Sequence, residues 1–248
     1  MTLECMTHAP LLQIEQLCVN LPTTRGTVHA VRDVSFTIAQ GEMLALVGES
    51  GCGKSVTAQA LTNLLPNSAN VTAQRATFDQ QSLLSKKYQR GIAMIFQNPM
   101  ATFNPVLTIG YQIAEPLRQL HGYNRKDAEQ ETVRLLERMK IADATQKAQR
   151  YAHEFSGGML QRAAIAMALA CKPQLLIADE PTTALDISTQ HEVMALLTEL
   201  RTEHALAILF ITHDLGLVSC HADRIAVMYA GEIIETANTN DVLKNPAH

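Results

Sequence analysis

The sequence predicts an α/β fold with a mainly parallel sheet and helices on both faces, built around a phosphate-binding loop. Three observations carry that expectation. Residues Gly48, Glu49, Ser50, Gly51, Cys52, Gly53, Lys54 and Ser55 spell G-x-x-x-x-G-K-S between an apolar run, Met43 to Val47, and a helical pattern, Val56 to Leu65. Strand, glycine loop and helix in that order place phosphate at a helix N-terminus, cradled by successive backbone N–H groups. In the last third of the chain, apolar strand patterns alternate with helical ones, as a parallel sheet requires. Between these regions lies a mostly helical block that looks like an insertion into the α/β core.

In chain order, Leu11 to Val19 has the β-branched and apolar content of a strand, and Pro22 to Gly26 marks a turn. Val28 to Ile38 reads as a further strand pair, closed by Gln40 and Gly41 before the strand Met43 to Val47. The helix after the loop stops at Pro66. Asn67 to Asn70 reads as a turn, Arg75 to Phe78 as a short strand, Ser82 to Gln89 as a short helix, and Gly91 to Gln97 as a buried strand. Turn signals at Asn98 with Pro99 and at Asn104 with Pro105 precede helices over Thr108 to Leu120 and Arg125 to Met139. In the second of these, Val133, Leu135, Leu136 and Met139 form an apolar stripe beside Glu129, Glu131, Arg134, Glu137 and Arg138. The block ends near Phe155, and Gly157 to Ala170 follows as a helix apolar almost all round, hence buried. After Pro173 come a strand, Gln174 to Asp179, a helix, Ser188 to Thr202, and a strand, Ala207 to Thr212. Arg224 to Tyr229 and Glu232 to Glu235 close the chain as a hairpin turning at Ala230 and Gly231. These boundaries separate a core, 1–97 and 159–248, from the helical block 98–158.

At 248 residues the chain can bury a sizeable core, and 47% hydrophobic with 18% charged residues is an ordinary globular balance. A net charge of −4, no Trp and 4% aromatics give no electrostatic or stacking basis for a nucleic-acid partner. No apolar run approaches the roughly 20 residues that span a bilayer. Met1 to Pro10 lacks the basic start and apolar core of a secretory signal. Cys5, Cys18, Cys52, Cys171 and Cys220 are scattered, odd in number and without a C-x-x-C pair, which fits reduced thiols in a cytosolic protein. Cys52 stands apart because it lies inside the phosphate loop.

The loop implies a nucleoside triphosphate site, against the bland reading of a Gly-rich turn with a chance Lys-Ser. Lys54 would reach the β- and γ-phosphates and Ser55 would hold Mg²⁺, with Val56 closing the contact set. Leu175 to Glu180 is an apolar strand ending in two carboxylates. Asp179 at the strand tip can hold Mg²⁺, and Glu180 would act on the water that attacks the γ-phosphate. The bland reading is a solvated acidic strand end. Ser156, Gly157 and Gly158 open the buried helix and form either an anion site or a structural serine N-cap with glycine spacers.

Here the chain resembles the ABC transporter ATPases over nearly its whole length. Ser156 to Met159 resembles their signature, usually L-S-G-G-Q, from which Phe155 and Met159 depart. Asp179 and Glu180 resemble the end of their Walker B strand, Gln97 the Q-loop glutamine, Ala184 to Asp186 the D-loop, and His213 the switch histidine. The phosphate loop, Met94 to Met100 with Phe103 to Pro105, and Leu176 to Asp186 are similar to the dipeptide, oligopeptide and nickel importer branch. Met228 to Gly231 and Asn245 to His248 point the same way.

The resemblance implies an ABC nucleotide-binding domain: a RecA-like P-loop NTPase core sheet with an antiparallel β subdomain and an inserted helical subdomain. It implies an ATPase using ATP and Mg²⁺ to power import of peptides or nickel. Gly48 to Val56 would hold one ATP, while Ser156, Gly157, Gly158 and Asp186 would contact the ATP of a partner subunit. Gln97 would sense Mg²⁺ and the attacking water, and His213 would contact the γ-phosphate. The implied partners are a homologous ATPase, favoured as a distinct subunit in a heterodimer, two transmembrane permeases, and a solute-binding protein reached through the complex. The implied location is the cytoplasmic face of the bacterial inner membrane, as a peripheral subunit. Members of the branch usually continue with a C-terminal tail, which is missing or trimmed if the chain stops at His248. The adenine-stacking aromatic of related ATPases is replaced near its place by Leu21, with His29 as a substitute or a plain surface histidine.

Two other classes compete. An ABC ATPase of DNA repair or translation usually carries two ATPase halves, coiled-coil or zinc insertions; this chain has one phosphate loop, one signature and no C-x-x-C pair. A small-molecule kinase would lack Ser156 to Gly158 and the carboxylate pair.

Overall fold

The computed structural model describes residues 9–83, 91–183 and 185–247. Its contacts divide the chain into two compact units, residues 1–89 with 204–248, and residues 90–203. The first unit opens with β1 (Leu12–Thr23), β2 (Gly26–Ile38), β3 (Met43–Val47), α1 (Lys54–Leu61), β4 (Asn70–Thr72), β5 (Arg75–Phe78) and β6 (Gln81–Ser82). The second holds β7 (Ile92–Ile95), α2 (Pro99–Thr102), α3 (Ile109–His121), α4 (Arg125–Arg138), α5 (Ala144–Lys147), a 3₁₀ turn (Ala152–Glu154), α6 (Gly157–Ala170), β8 (Leu175–Asp179) and α7 (Ile187–His204). The chain then returns to the first unit with β9 (Ala207–Thr212), α8 (Leu215–His221), β10 (Arg224–Tyr229), β11 (Glu232–Asn238) and α9 (Thr239–Lys244).

In the first unit, β1 and β2 form a long antiparallel pair that buries Leu12, Ile14, Leu17 and Val19 against Val31, Val34, Phe36 and Ile38. Residues 26–38 are one continuous strand rather than a strand pair. The polar interruption at Arg32 and Asp33 is a bulge: Asp33 (φ 51°) and Gln16 (φ 53°) both adopt left-handed backbone where the register shifts. Side chains satisfy the displaced amides, with Gln16 N donating to Ser35 Oγ at 2.9 Å and Asp33 N to Cys18 Sγ at 3.4 Å. β4 and β5 pair antiparallel with β1, and β6 pairs antiparallel with β5. Asn70 therefore begins a strand, and Ser82 ends one rather than starting a helix; residues 84–89 of that expected helix lie outside the described residues.

The parallel strands of this unit are β10, β3 and β9 in that order, with β11 antiparallel on β10. β3 and β9 are buried at every position, as parallel strands covered on both faces must be. The helix expected over 56–65 begins earlier, at Lys54, and ends at Leu61. Asn63 turns left-handed (φ 57°) just beyond it, and the Thr62 hydroxyl donates back to Ala58 O at 3.0 Å, closing the helix before Pro66.

In the second unit β7 pairs parallel with β8, Ile95 opposite Ala178. The helical block 98–158 lies in this unit, its helices started by side chains that accept backbone N–H bonds: Asn98 for α2, Thr108 for α3 and Asn124 for α4. α6 buries Leu160, Ala163, Ala164, Ile165 and Ala166, as its all-round apolar sequence requires. Among the described residues no helix is long and apolar enough to cross a membrane.

Candidate functional site

In the first unit, β3 delivers Val47 to the phosphate loop. A Cβ on Gly48 would lie 2.1 Å from Met228 O and 2.8 Å from Cys52 Sγ. A Cβ on Gly53 would lie 2.4 Å from Ala30 O, and its φ of 112° is left-handed. Glycine is therefore dictated at both positions by β2 and β10 backbone packed against the loop. Lys54, only 5% exposed, donates through Nζ to Gly48 O and Glu49 O at 2.8 Å each and approaches Cys52 Sγ at 3.8 Å. Its ammonium thus reaches back across the loop mouth. Gly53 is the N-cap of α1 and offers no side-chain cap, and the first turn has no acidic residue, so the helix's N-terminal dipole faces the loop without a protein anion. Ser55 and Val56, both half-buried, belong to that first turn.

His213 joins this end of the unit. Val47 pairs with Thr212 across parallel strands, so Gly48 and His213 follow at the same C-terminal edge, where α/β sheets bind ligands. Asp214 shapes the exit from β9: its N–H donates to Thr212 Oγ1 at 3.0 Å, and its Oδ1 accepts from Gly216 and Leu217 N–H at 2.8 and 3.2 Å. Sequence reasoning missed Asp214, although an Asp two residues before a Gly was the available cap signal. His29 is an exposed hairpin residue whose Nδ1 lies 2.6 Å from Asn20 Oδ1, its cross-strand neighbour, and Leu21 pairs with Val28.

In the second unit β8 is buried throughout and ends at Asp179, 5% exposed. Glu180 follows in left-handed backbone (φ 47°), a strained conformation that a non-glycine residue holds only when its surroundings fix it. Its Oε2 accepts from Gln97 Nε2 and from Thr183 Oγ1, both at 2.9 Å. The β7–β8 register explains the first contact: Gln97 and Glu180 each lie two residues beyond the Ile95–Ala178 pair. Thr183 and Gln190 were not singled out from sequence. Gln190 Nε2 donates to Thr182 O at 3.0 Å and Leu185 O at 3.3 Å, bracing the loop after Glu180. Ala184 lies outside the described residues.

Asp186 accepts from Thr189 N–H at 3.0 Å and from the Thr189 hydroxyl at 2.7 Å. Those bonds, the backbone one foremost, hold its carboxyl below the usual 3.8. Thr189 also meets the start of α6: a Cβ on Gly158 would lie 2.8 Å from Thr189 Cγ2, so Gly158 lets the signature turn pack beside Asp186. Ser156 caps α6 by accepting from Met159 N–H at 3.3 Å, while Ser156 and Gly157 stay exposed. The structure thus brings together the phosphate loop with His213, Gln97 with Glu180, and the Ser156–Gly158 turn with Asp186.

The residues present fit a nucleotide and a hard divalent cation. Glycine positions forbid side chains in the loop, and a buried lysine and an uncapped helix start face its mouth. Each unit by itself carries oxygen donors of the kind Mg²⁺ selects: the Ser55 hydroxyl in the first, and the Asp179 carboxylate and the Gln97 amide carbonyl in the second.

Comparison with known proteins agrees. The family model described as ABC transporter matches residues 31–183. The dipeptide transport ATP-binding protein DppD of Bacillus subtilis is 46% identical over 246 residues, covering 96% of this chain and 73% of that protein. The oligopeptide transport ATP-binding protein OppD of Salmonella typhimurium is 44% identical over 99% of this chain and 76% of its own length. Among solved structures, cbiO1 of Clostridium perfringens, part of the ABC transporter complex cbiONQ, superposes with a TM-score of 0.78 at 27% identity over 96% of this chain and 92% of that one. The ATP-binding cassette MJ0796, solved as a dimer bound to ADP and phosphate, has the same fold with a TM-score of 0.79 at 23% identity, over 92% of this chain and 98% of its own.

Proposed function

The chain belongs to the ABC transporter ATP-binding family, and on that premise we propose that it is the ATP-hydrolysing subunit of a peptide importer. The observation that carries the catalytic part is the Glu180 carboxylate, fixed at the tip of β8 by Gln97 and Thr183 in a chain that also carries a complete phosphate loop. The cargo follows from relatives named as dipeptide and oligopeptide transport proteins. These names do not favour a repair or translation factor.

The loop residues Gly48 to Val56 bind the triphosphate, with Lys54 on the β- and γ-phosphates. Glu180 takes the proton of the attacking water as the water oxygen bonds to the γ-phosphorus and the bond from that phosphorus to the ADP oxygen breaks. His213 orients the γ-phosphate, and Gln97 holds Glu180 in line. Ser55, Asp179 and Gln97 would hold Mg²⁺, which neutralises charge on the β- and γ-phosphates when bound. Ser156, Gly157, Gly158 and Asp186 serve the nucleotide of a partner ATPase, a related but distinct subunit. The block 98–158 acts as an inserted helical subdomain that reports the state of the site to two permease subunits at the cytoplasmic face of the membrane. A solute-binding protein outside supplies the cargo.

Purification of the tagged chain from membranes tests this reading. Two permeases and a second ATPase are expected to co-purify, with hydrolysis stimulated by peptide-loaded binding protein; stimulation by nickel instead would reassign the cargo. Recovery with nucleic acid or ribosomes and without permeases, or a phosphorylated product other than free phosphate, would refute it.

A further inference from the structure

We propose that Arg32, remote in sequence from the phosphate loop, is a positioning residue that sets the direction of the loop's N–H groups through the β10–β11 turn. The proposal rests on the nucleotide-binding reading of the loop. The turn is two residues long, Ala230 and Gly231, between the paired residues Tyr229 and Glu232. Both turn residues have positive φ, 47° and 89°. Two left-handed residues make the hairpin turn whose twist matches its strands, but alanine is strained there and something must hold it.

Arg32 supplies that hold from β2. Its Nε and Nη2 donate to Ala230 O at 3.0 and 2.5 Å, and its backbone N–H donates to Gly231 O at 2.7 Å. Both carbonyls of the turn are therefore taken by one residue. One of the turn's two N–H groups points into the phosphate loop, where Gly231 N–H donates to Cys52 O at 2.9 Å.

That last bond matters because a trans peptide points its C=O and N–H in opposite directions. Anchoring Cys52 O on the turn aims the Gly53 N–H away from it, on the side from which the loop's amides address phosphate. The next turn of backbone is already constrained, since Gly53 fits beneath Ala30 O only as glycine. Releasing Arg32 lets Ala230 relax to an ordinary conformation and swing Gly231 N–H off Cys52 O. The Cys52–Gly53 peptide can then rotate, and the loop loses an aligned donor without any residue of the motif being changed. The accompanying ion pair, Arg32 with Glu232 at 3.4 Å, is half exposed on both sides and contributes little.

The test is equilibrium binding of a non-hydrolysable ATP analogue and of ADP to Arg32→Ala, Arg32→Lys, Glu232→Gln and Lys54→Ala, each with its nucleotide-free thermal midpoint. Arg32→Ala is expected to weaken both nucleotides about tenfold, the effect of losing one charge-assisted hydrogen bond, with its midpoint near wild type. Arg32→Lys, which keeps the backbone N–H bond and one side-chain donor, should recover most of the affinity, and Glu232→Gln should stay within about twofold. Unchanged affinity in Arg32→Ala while Lys54→Ala loses binding would overturn the proposal and leave the nucleotide reading standing. Unchanged affinity in Lys54→Ala would overturn the nucleotide reading itself. A lower midpoint at full affinity would reduce Arg32 to a structural clamp, and an equal loss in Glu232→Gln would transfer the role to the ion pair.

Discussion

Holding Glu180 in a strained backbone with two donors on one oxygen has a measurable consequence. Gln97→Ala and Thr183→Val each remove one hydrogen bond, 2.9 Å long, from Oε2. Hydrogen bonds to charged groups contribute about 1.5–3 kcal/mol. Gln97 and Thr183 are exposed, which puts the expected loss at the lower end, about 1.5 kcal/mol, or a little over tenfold in rate if it falls wholly on the transition state. Glu180→Gln removes the base itself and should cost 10²–10⁴-fold in kcat, the usual range for a positioned proton acceptor. The assay is phosphate release from MgATP by the assembled complex, with affinity for a non-hydrolysable analogue measured alongside. Affinity should hold in Thr183→Val and Glu180→Gln, because neither changes the phosphate loop or the residues that would hold Mg²⁺. Wild-type kcat in both single-contact variants would show that these bonds do not position the base. Normal turnover by Glu180→Gln would remove it from the mechanism altogether.

Further outcomes follow from other contacts. Gly53→Ala forces a Cβ to within 2.4 Å of Ala30 O at a left-handed φ; overpacking and backbone strain together should lower the unfolding free energy by about 3 kcal/mol, read as a shifted urea midpoint at unchanged slope, and an unshifted midpoint would show that the loop yields there. A bulky thiol reagent on Cys52 should block nucleotide binding, because its Sγ lies 3.8 Å from Lys54 Nζ, and prior MgATP should protect it; labelling at full affinity would contradict this. Cys171, whose thiol burial raises above its usual value, should stay unlabelled while exposed Cys220 reacts, as mass mapping would report. Asp186 is held below the ordinary carboxylate value by Thr189, so its contribution to stability is present above that value and lost as pH falls through the lowered one. The thermal midpoint difference between wild type and Asp186→Asn should therefore be flat from neutrality to about pH 4 and shrink below it; a difference that vanishes near neutral pH would contradict the assigned hydrogen bonds.

Much of this was legible in the sequence because the decisive elements are local. The apolar strand before Gly48 and the buried helix Gly157 to Ala170 are dictated by uninterrupted hydrophobic runs, and the structure keeps their limits. The carboxylate pair closing β8 was equally plain, since five buried residues can end at water only where polar side chains begin. Pattern failed where tertiary contacts decide. Val28 to Ile38 read as a strand pair, yet it belongs to one strand with a bulge at Asp33 opposite Gln16. β4 and β6 are two or three residues long and exist through pairing with neighbours, leaving no periodic signal. α8 and α9, seven and six residues long, were not read, though Asp214 caps the first. Within the site, Thr183, Gln190 and Thr189 act through side chains that fold back on the same loop, a role that composition and spacing do not reveal.

Uptake of labelled peptide into proteoliposomes tests the central claim most directly, using the chain assembled with the proposed permeases, the proposed partner ATPase and a peptide-loaded binding protein. The account requires ATP-dependent accumulation that disappears with Lys54→Ala or Glu180→Gln in this chain. Undiminished accumulation with either variant, or hydrolysis that proceeds with no peptide moved, would contradict it.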